Sequence, residues 1–158
     1  MKIIIGSDKS GFNLKEEIKT HLTDKGYEVA DRGTLDVDNF LPYYKVAAIV
    51  AKAIQDKEFE KGILVCGTGA GMCIVANKFK GVYAVCAESG YTAKMSSVIN
   101  RANVLTLGGW VVQPQLAVDM IDRWLTAEFA DGFPADRKEF LENAYKSVGE
   151  IENNNFKG

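Results

Sequence analysis

The sequence is poor in the residues that build metal sites and disulfide scaffolds. It holds one histidine and three cysteines in 158 residues. Three cysteines cannot all pair, no C-x-x-C occurs, and no Cys/His spacing suits a metal ion. These features fit reduced thiols in a cytoplasmic protein. Long apolar runs are missing too. Nothing approaches the ~18 residues that a membrane helix needs, and Met1–Ile5 is too short and wrongly flanked for a signal peptide. Charge of one sign is also scarce: 19 basic and 21 acidic residues leave a net charge of -2. Without a long basic run, electrostatics gives no support for a nucleic-acid partner. Internal repeats and low-complexity segments are absent.

What is present is ordinary globular composition, 47% apolar and 25% charged, at the length of one domain. Such a chain buries a full core without disulfides. Short apolar runs alternate with longer amphipathic stretches. Ile3–Ile5 reads as a first buried strand closed by Gly6. Phe12–Lys25 carries Leu14, Ile18 and Leu22 at helical spacing, and Gly26 ends it. Tyr27–Asp31 is a second strand and Gly33–Leu41 a loop. Pro42 starts a helix with Val46, Ile49, Val50 and Ile54 on its buried face. Gly62–Cys66 is a third strand and Met72–Lys78 a short helix. Val82–Ala87 is a fourth strand and Thr92–Asn100 a helix. Asn103–Leu107 is a fifth strand, and Gln115–Glu128 a helix with Leu116, Met120, Ile121 and Trp124 in register. Pro134–Ile151 reads as a further helix beyond the five-strand core, packed on its own domain or reaching to a second subunit. The pattern predicts an α/β fold, a Rossmann-like three-layer arrangement with a five-stranded parallel sheet plus a C-terminal helix. Residues 1–152 form one domain on this reading, and 153–158 a frayed tail. Ligands in such sheets bind at the carboxyl ends of the strands, here after Ile5, Val65 and Leu107.

The central motif is Cys66-Gly67-Thr68-Gly69-Ala70-Gly71. Three glycines let the backbone approach a ligand and turn successive N–H groups inward. A helix starts directly after them. This makes an anion hole, suited to an oxyanion or a phosphate. A dinucleotide fingerprint needs G-x-G-x-x-G, but the third glycine comes one residue early. A P-loop needs Gly-Lys-Ser/Thr, which is absent. Cys66 sits at the mouth of the hole, placed to work as a thiolate general base. Cys73 and Cys86 read as small hydrophobes.

Gly6-Ser7-Asp8-Lys9-Ser10-Gly11-Phe12 with Leu14-Lys15 resembles the start of one sugar-phosphate isomerase family: the type B ribose-5-phosphate isomerases and the two galactose-6-phosphate isomerase subunits. Cys66-Gly67-Thr68-Gly69-x-Gly71 with Asn77-Lys78 resembles its central signature. Asn100-x-Ala102-Asn103-Val104-Leu105 with Leu107-Gly108 resembles its third block. The resemblance spans about residues 1 to 130. It implies aldose–ketose isomerisation of a sugar phosphate through a cis-enediolate, with no cofactor or metal. Cys66 would move the proton between C1 and C2, Thr68 would assist at the sugar oxygens, and N–H groups from Gly67 through Gly69 to Gly71 would hold the enediolate. Asp8 would bind substrate hydroxyls, and Asn100 the reacting end. It also implies a dimer or tetramer whose sites a neighbouring subunit completes.

The departures from the family carry information. Lys9 stands where many members have histidine after the aspartate, and resembles the first galactose-6-phosphate isomerase subunit. The Cys66 motif resembles the second subunit and the ribose enzymes. The ring-opening histidine is replaced by Ile99, which can neither donate nor accept a proton. The only histidine, His21, lies on the first helix away from the strand ends and reads as structural or solvent-facing. In the phosphate clamp one arginine position is Phe133, whereas Arg137 fits the other. Lys9, Arg101 and Arg137 are the cations available to replace the lost contacts. A cysteine base without a ring-opening group suggests a substrate with no ring to open, such as a four-carbon sugar phosphate. Otherwise another residue or chain supplies that group, which would make the assembly heteromeric. The rival reading is a non-catalytic sugar-phosphate-binding protein or partner subunit. A flavodoxin-like nucleotide binder shares the fold but lacks a nucleotide loop. Trp110–Val112 read as core continuation or a pocket wall, and Tyr43 and Tyr44 as helix packing or the rim of a sugar site.

Overall fold

The computed structural model describes residues 1–156. Five strands, β1 (Lys2–Ser7), β2 (Glu28–Asp31), β3 (Lys61–Cys66), β4 (Ala84–Cys86) and β5 (Val104–Gly108), alternate with helices α1 (Phe12–Asp24), α2 (Tyr43–Gln55), α3 (Ala70–Ala76), α4 (Gly90–Asn100) and α5 (Pro114–Thr126). Helix α6 (Ala135–Asn155) follows. All pairings are parallel, in the order β2-β1-β3-β5-β4. This is the α/β arrangement that the alternation of apolar strands and amphipathic helices implies. No helix among the described residues is long and apolar enough to cross a membrane.

Strand residues alternate between two cores because side chains point to opposite faces with period two. Ile3, Ile5, Ile63, Val65, Leu105 and Leu107 pack against Leu14 and Ile18 of α1 and Met120, Ile121 and Trp124 of α5. Ile4, Leu64 and Cys66 pack against Val46 and Val50 of α2 and Met72 and Ala76 of α3. Two expected core positions are exposed, Ile49 and Leu116. On α2 the small Ala47 and Ala51 take the buried places, which lets the helix lie close to the sheet. Helix α3 starts at Ala70, two residues before the expected Met72. The tail expected from residue 153 is helical through Asn155, and residues 157–158 lie outside the described part.

Helix α6 packs on its own domain. Leu141 is buried, Tyr145 meets Tyr83 edge-on at 5.9 Å, and Glu152 accepts the Tyr83 hydroxyl at 3.2 Å and the Gly81 N–H at 2.6 Å. Burial and the neighbouring Glu152 push the Tyr83 phenol up to about 12. Its outer positions Phe140, Val148 and Ile151 remain exposed.

Two lysines lie inside the fold. Lys15 is fully buried and gives its ammonium to Asp31 at 2.6 Å, Glu16 at 2.7 Å and the Thr34 carbonyl at 2.7 Å. This ties α1 to the loop after β2. A buried charge is tolerated only when it is paired in this way. Replacing Lys15 by Met strips Asp31 and Thr34 of their shared donor, and we expect a loss of about 3 kcal/mol in urea unfolding. Lys61 donates to the Ala102 carbonyl at 2.8 Å and lies 4.6 Å over the Trp124 ring, where burial pushes its ammonium down to about 8. Its folded pKa is therefore below the ordinary lysine value, and the unfolded chain binds more protons between these two values. Stability must then rise with pH across that window. From pH 7 to 9.5 the wild type should gain about 2 kcal/mol relative to Lys61→Met. Parallel pH curves for the two proteins would refute this.

Candidate active site

The loops after β1 and β3 leave the sheet side by side, because the two strands are hydrogen-bonded neighbours. Their contact is so close that a Cβ on Gly11 would lie 2.2 Å from the Val65 carbonyl oxygen. Only glycine passes there. The Asp8 carboxylate accepts the Gly11 N–H at 3.0 Å, which fixes it at the turn. Lys9 beside it is exposed, with its ammonium 5.5 Å from the Phe40 ring and no carboxylate partner among the described residues.

Cys66 ends β3 and is only 5% exposed. Its sulfur accepts the Gly69 N–H at 3.1 Å. Gly69 makes this possible by adopting φ +83°, and a Cβ there would lie 2.9 Å from both the Leu107 carbonyl carbon and the Cys86 sulfur. The loop is pinned to β5 and the turn after it. Gly109 N–H donates to the Cys66 carbonyl at 2.7 Å, Trp110 N–H to Gly67 at 2.9 Å, and the Thr106 hydroxyl to the Gly69 carbonyl at 2.9 Å. The exposed Thr68 accepts the Ala70 N–H on its hydroxyl at 3.3 Å. The N–H groups of Thr68, Gly71 and Met72 find no acceptor among the described residues. With α3 only seven residues long, the turn offers an anion these N–H groups rather than a helix dipole. A sulfur base beside free N–H donors can take a proton from carbon and hold the oxyanion that results.

Trp110 is not core. It is 74% exposed and its ring lies on Gly67, whereas Val112 is buried. The Tyr43 ring covers Gly71 and meets Tyr44 edge-on at 5.6 Å. The indole and the Tyr43 ring therefore flank the glycine turn, and only tertiary contact reveals it. Burial pushes the Cys73 thiol up, in keeping with a small apolar role. His21 is structural: its Nε2 bonds Asp122 of α5 at 2.9 Å.

The other expected site residues lie elsewhere. Helix α4 delivers Ile99 and Asn100 to the edge of the sheet where strands begin, whereas Cys66 is where β3 ends. Five residue steps along β3 (Lys61–Cys66), about 16 Å, separate these edges. Ile99, Asn100 and Arg137 line one cavity of about 460 Å³ beside the outer strand β4, together with Asn77, Tyr83 and Phe140. Arg137 stacks on Phe140 at 4.5 Å and has no carboxylate partner among the described residues. Arg101, next to Asn100, is engaged otherwise: its guanidinium pairs with Glu142 at 2.8 Å and stacks 3.9 Å from Phe129 and 4.6 Å from Tyr145. The three cations Lys9, Arg101 and Arg137 therefore do not converge within one chain. Arg101 is committed to structure, Lys9 stands by Asp8, and Arg137 faces the β4 cavity.

A parallel α/β sheet with a cysteine and a glycine-rich turn at its strand ends has the form of a small-molecule enzyme of the α/β class. Residues 3–141 match the Ribose/Galactose Isomerase family, and the chain belongs to it. It is 53% identical to a 4-deoxy-4-sulfo-D-erythrose isomerase of Clostridium sp. (strain MSTE9), over 96% of each chain. It is 40% identical to a D-erythrulose-4-phosphate isomerase of Pectobacterium atrosepticum, over 88% of this chain and 91% of that one. The ribose-5-phosphate isomerase B structure from Clostridium thermocellum superposes with a TM-score of 0.88 at 42% identity, covering 98% and 99% of the two chains. The chain is a sugar aldose–ketose isomerase, as the sequence motifs imply.

Gly69→Ala tests the cradle. The positive φ and the 2.9 Å approaches should cost about 1–3 kcal/mol. Isomerisation should fall by at least about 100-fold because the N–H donors are displaced. Unchanged turnover in a folded variant would remove the loop from the chemistry.

Proposed function

We propose that this protein interconverts an open-chain four-carbon aldose and its ketose, the sugar carrying an acidic group at C4. The observation that carries the reading is Ile99, an aliphatic side chain lining the Asn100 and Arg137 cavity, where the family resemblance implies a ring-opening histidine. The relatives named for 4-deoxy-4-sulfo-D-erythrose and D-erythrulose 4-phosphate support it. Neither sugar has a free oxygen on C4, so neither closes a five-membered ring. A site for such substrates needs no acid to open one.

In the proposed mechanism Cys66 takes the proton from C2 of the aldose. The C2 electrons form the enediolate double bond, and the charge on O1 is held by the N–H groups between Gly67 and Gly71. Thr68 relays the hydroxyl proton from O2 to O1. The Cys66 thiol then returns its proton to C1, leaving a ketone at C2 and a hydroxymethyl group at C1. Asp8 orients the substrate hydroxyls.

The working enzyme is at least a dimer on this reading. The half-site of Asp8, Lys9 and Cys66 and the half-site of Asn100 and Arg137 lie at opposite edges of the sheet, and a second subunit joins them. Exposed Trp110 and Tyr91 at the strand ends, and Phe140 on α6, supply apolar surface for that contact. Three free thiols suit a reducing cytoplasm.

The test is proton exchange at C1 and C2 followed by NMR in heavy water, with four-, five- and six-carbon acidic sugars. Wild type should exchange the four-carbon substrates best, and Cys66→Ala should lose at least about 1,000-fold. Ile99→His should raise exchange with the ring-forming five-carbon sugar phosphate. Best exchange with five-carbon sugars by the wild type would refute the four-carbon reading. Activity that requires a second, related chain would show that the partner half-site comes from a different subunit.

A further inference from the structure

The β4 cavity contains one charge. Among its lining residues Arg137 is the only charged side chain, and its neighbours include Ile99, Phe140, Leu141 and Val148. Phe133 adds another aromatic ring, 6.0 Å from the Arg137 guanidinium. The other candidate arginine, Arg101, is absent from the lining. It caps α4 in a left-handed conformation, φ +53°. Glu142 neutralises it at 2.8 Å and two aromatic rings clamp it. Lys9, which a second subunit would bring, arrives together with Asp8 and so adds no net charge.

We infer that this cavity selects a singly charged terminal group, a sulfonate or the monoanion of a phosphate, and that Glu142 enforces the selection by keeping Arg101 out of it. The inference deepens the four-carbon reading and rests on it for the substrate, but not for the charge argument. A phosphate monoester carries about −1.5 to −2 charges at pH 7, with its second pKa near 6. A sulfonate carries one charge throughout. A single arginine in a mostly apolar cavity balances one negative charge. The second charge of a phosphate dianion would be desolvated without a partner, which is costly. One guanidinium still gives the anion two parallel hydrogen bonds, so a monoanion is fully met.

The cavity is lined by one arginine and by no carboxylate, imidazole or thiol. Its other ionisable groups are the Tyr83 and Tyr145 phenols, and burial with Glu152 holds Tyr83 protonated to about 12. Asp136, Lys138 and Glu139 flank Arg137 on α6 and do not line the cavity. The sulfonate, which carries one charge throughout, is the control for any titration of the protein between pH 5.5 and 8.

The experiment is calorimetric binding of two unreactive analogues to the intact oligomer: the four-carbon polyol sulfonate and the four-carbon polyol phosphate, each at pH 5.5 and 8. Wild type should bind the sulfonate with the same Kd at both pH values, and the phosphate about tenfold more weakly at pH 8 than at pH 5.5. Glu142→Gln, a near-isosteric change at a partly exposed position, frees Arg101 and should tighten phosphate at pH 8 by about tenfold, leaving the sulfonate within about threefold. Phosphate binding that strengthens from pH 5.5 to 8 in the wild type would overturn the inference, whatever Glu142→Gln does. So would phosphate as the tighter ligand at pH 8. The four-carbon reading is judged separately: charge selectivity without four-carbon turnover would sink that reading and leave this inference standing. Four-carbon turnover without charge selectivity would do the reverse.

Discussion

The structure depends on one close backbone crossing at the carboxyl edge of the sheet. The turn after β3 runs between the loop after β1 and the turn after β5, with no side chains to keep them apart. Gly11 lies against the Val65 carbonyl, and Gly108 against the backbone of Gly67 and Thr68. Short hydrogen bonds from Gly109 and Trp110 close the other side. This packing sets the Cys66 sulfur against the Gly69 N–H and leaves other N–H groups of the turn without partners. A catalytic cradle must hold its donors in place before charge develops. Here the stiffness comes from backbone contact rather than from a shell of side chains.

Charge is apportioned between the two edges of the sheet. At the strand ends Asp8 and Lys9 offset one another beside a buried sulfur. At the opposite edge two arginines, Arg101 beside Asn100 and Arg137 on α6, have different fates. Arg137 is left free over an aromatic ring, and Arg101 is spent on Glu142, Phe129 and Tyr145. Buried charge is compensated most completely at Lys15, whose ammonium has three oxygen partners, and less so at Lys61, which has one carbonyl and the Trp124 ring. Arg137 is thus a cation without a carboxylate partner among the described residues, facing a mostly apolar cavity.

Much of the fold was legible from local pattern. All-apolar strands separated by amphipathic stretches of helical period lead to a parallel sheet covered on both faces, since no other arrangement buries them. Element ends were less legible. Helix α3 begins at Ala70 because Gly69 in its left-handed conformation already turns the chain, a property of the backbone that composition does not express. Ile49 and Leu116 look like core by spacing but face outward, because alanines at neighbouring positions already fill the space against the sheet.

The sequence by itself determined the chemistry available to this protein: a cysteine in a glycine turn, an aspartate after the first strand, and an isoleucine in place of a proton-carrying side chain. Those are matters of side-chain identity and of backbone freedom at glycine, both local. Only the tertiary structure decided which groups act together. It placed Asn100 at the opposite edge from Cys66, because a helix in a parallel α/β unit must run back to the start of the next strand, and it brought Arg137 of α6 to the same cavity. It set the Trp110 ring over Gly67, and it neutralised Arg101 with a glutamate 41 residues further along the chain. Distances of that kind depend on how helices close over a sheet, and no local pattern encodes them.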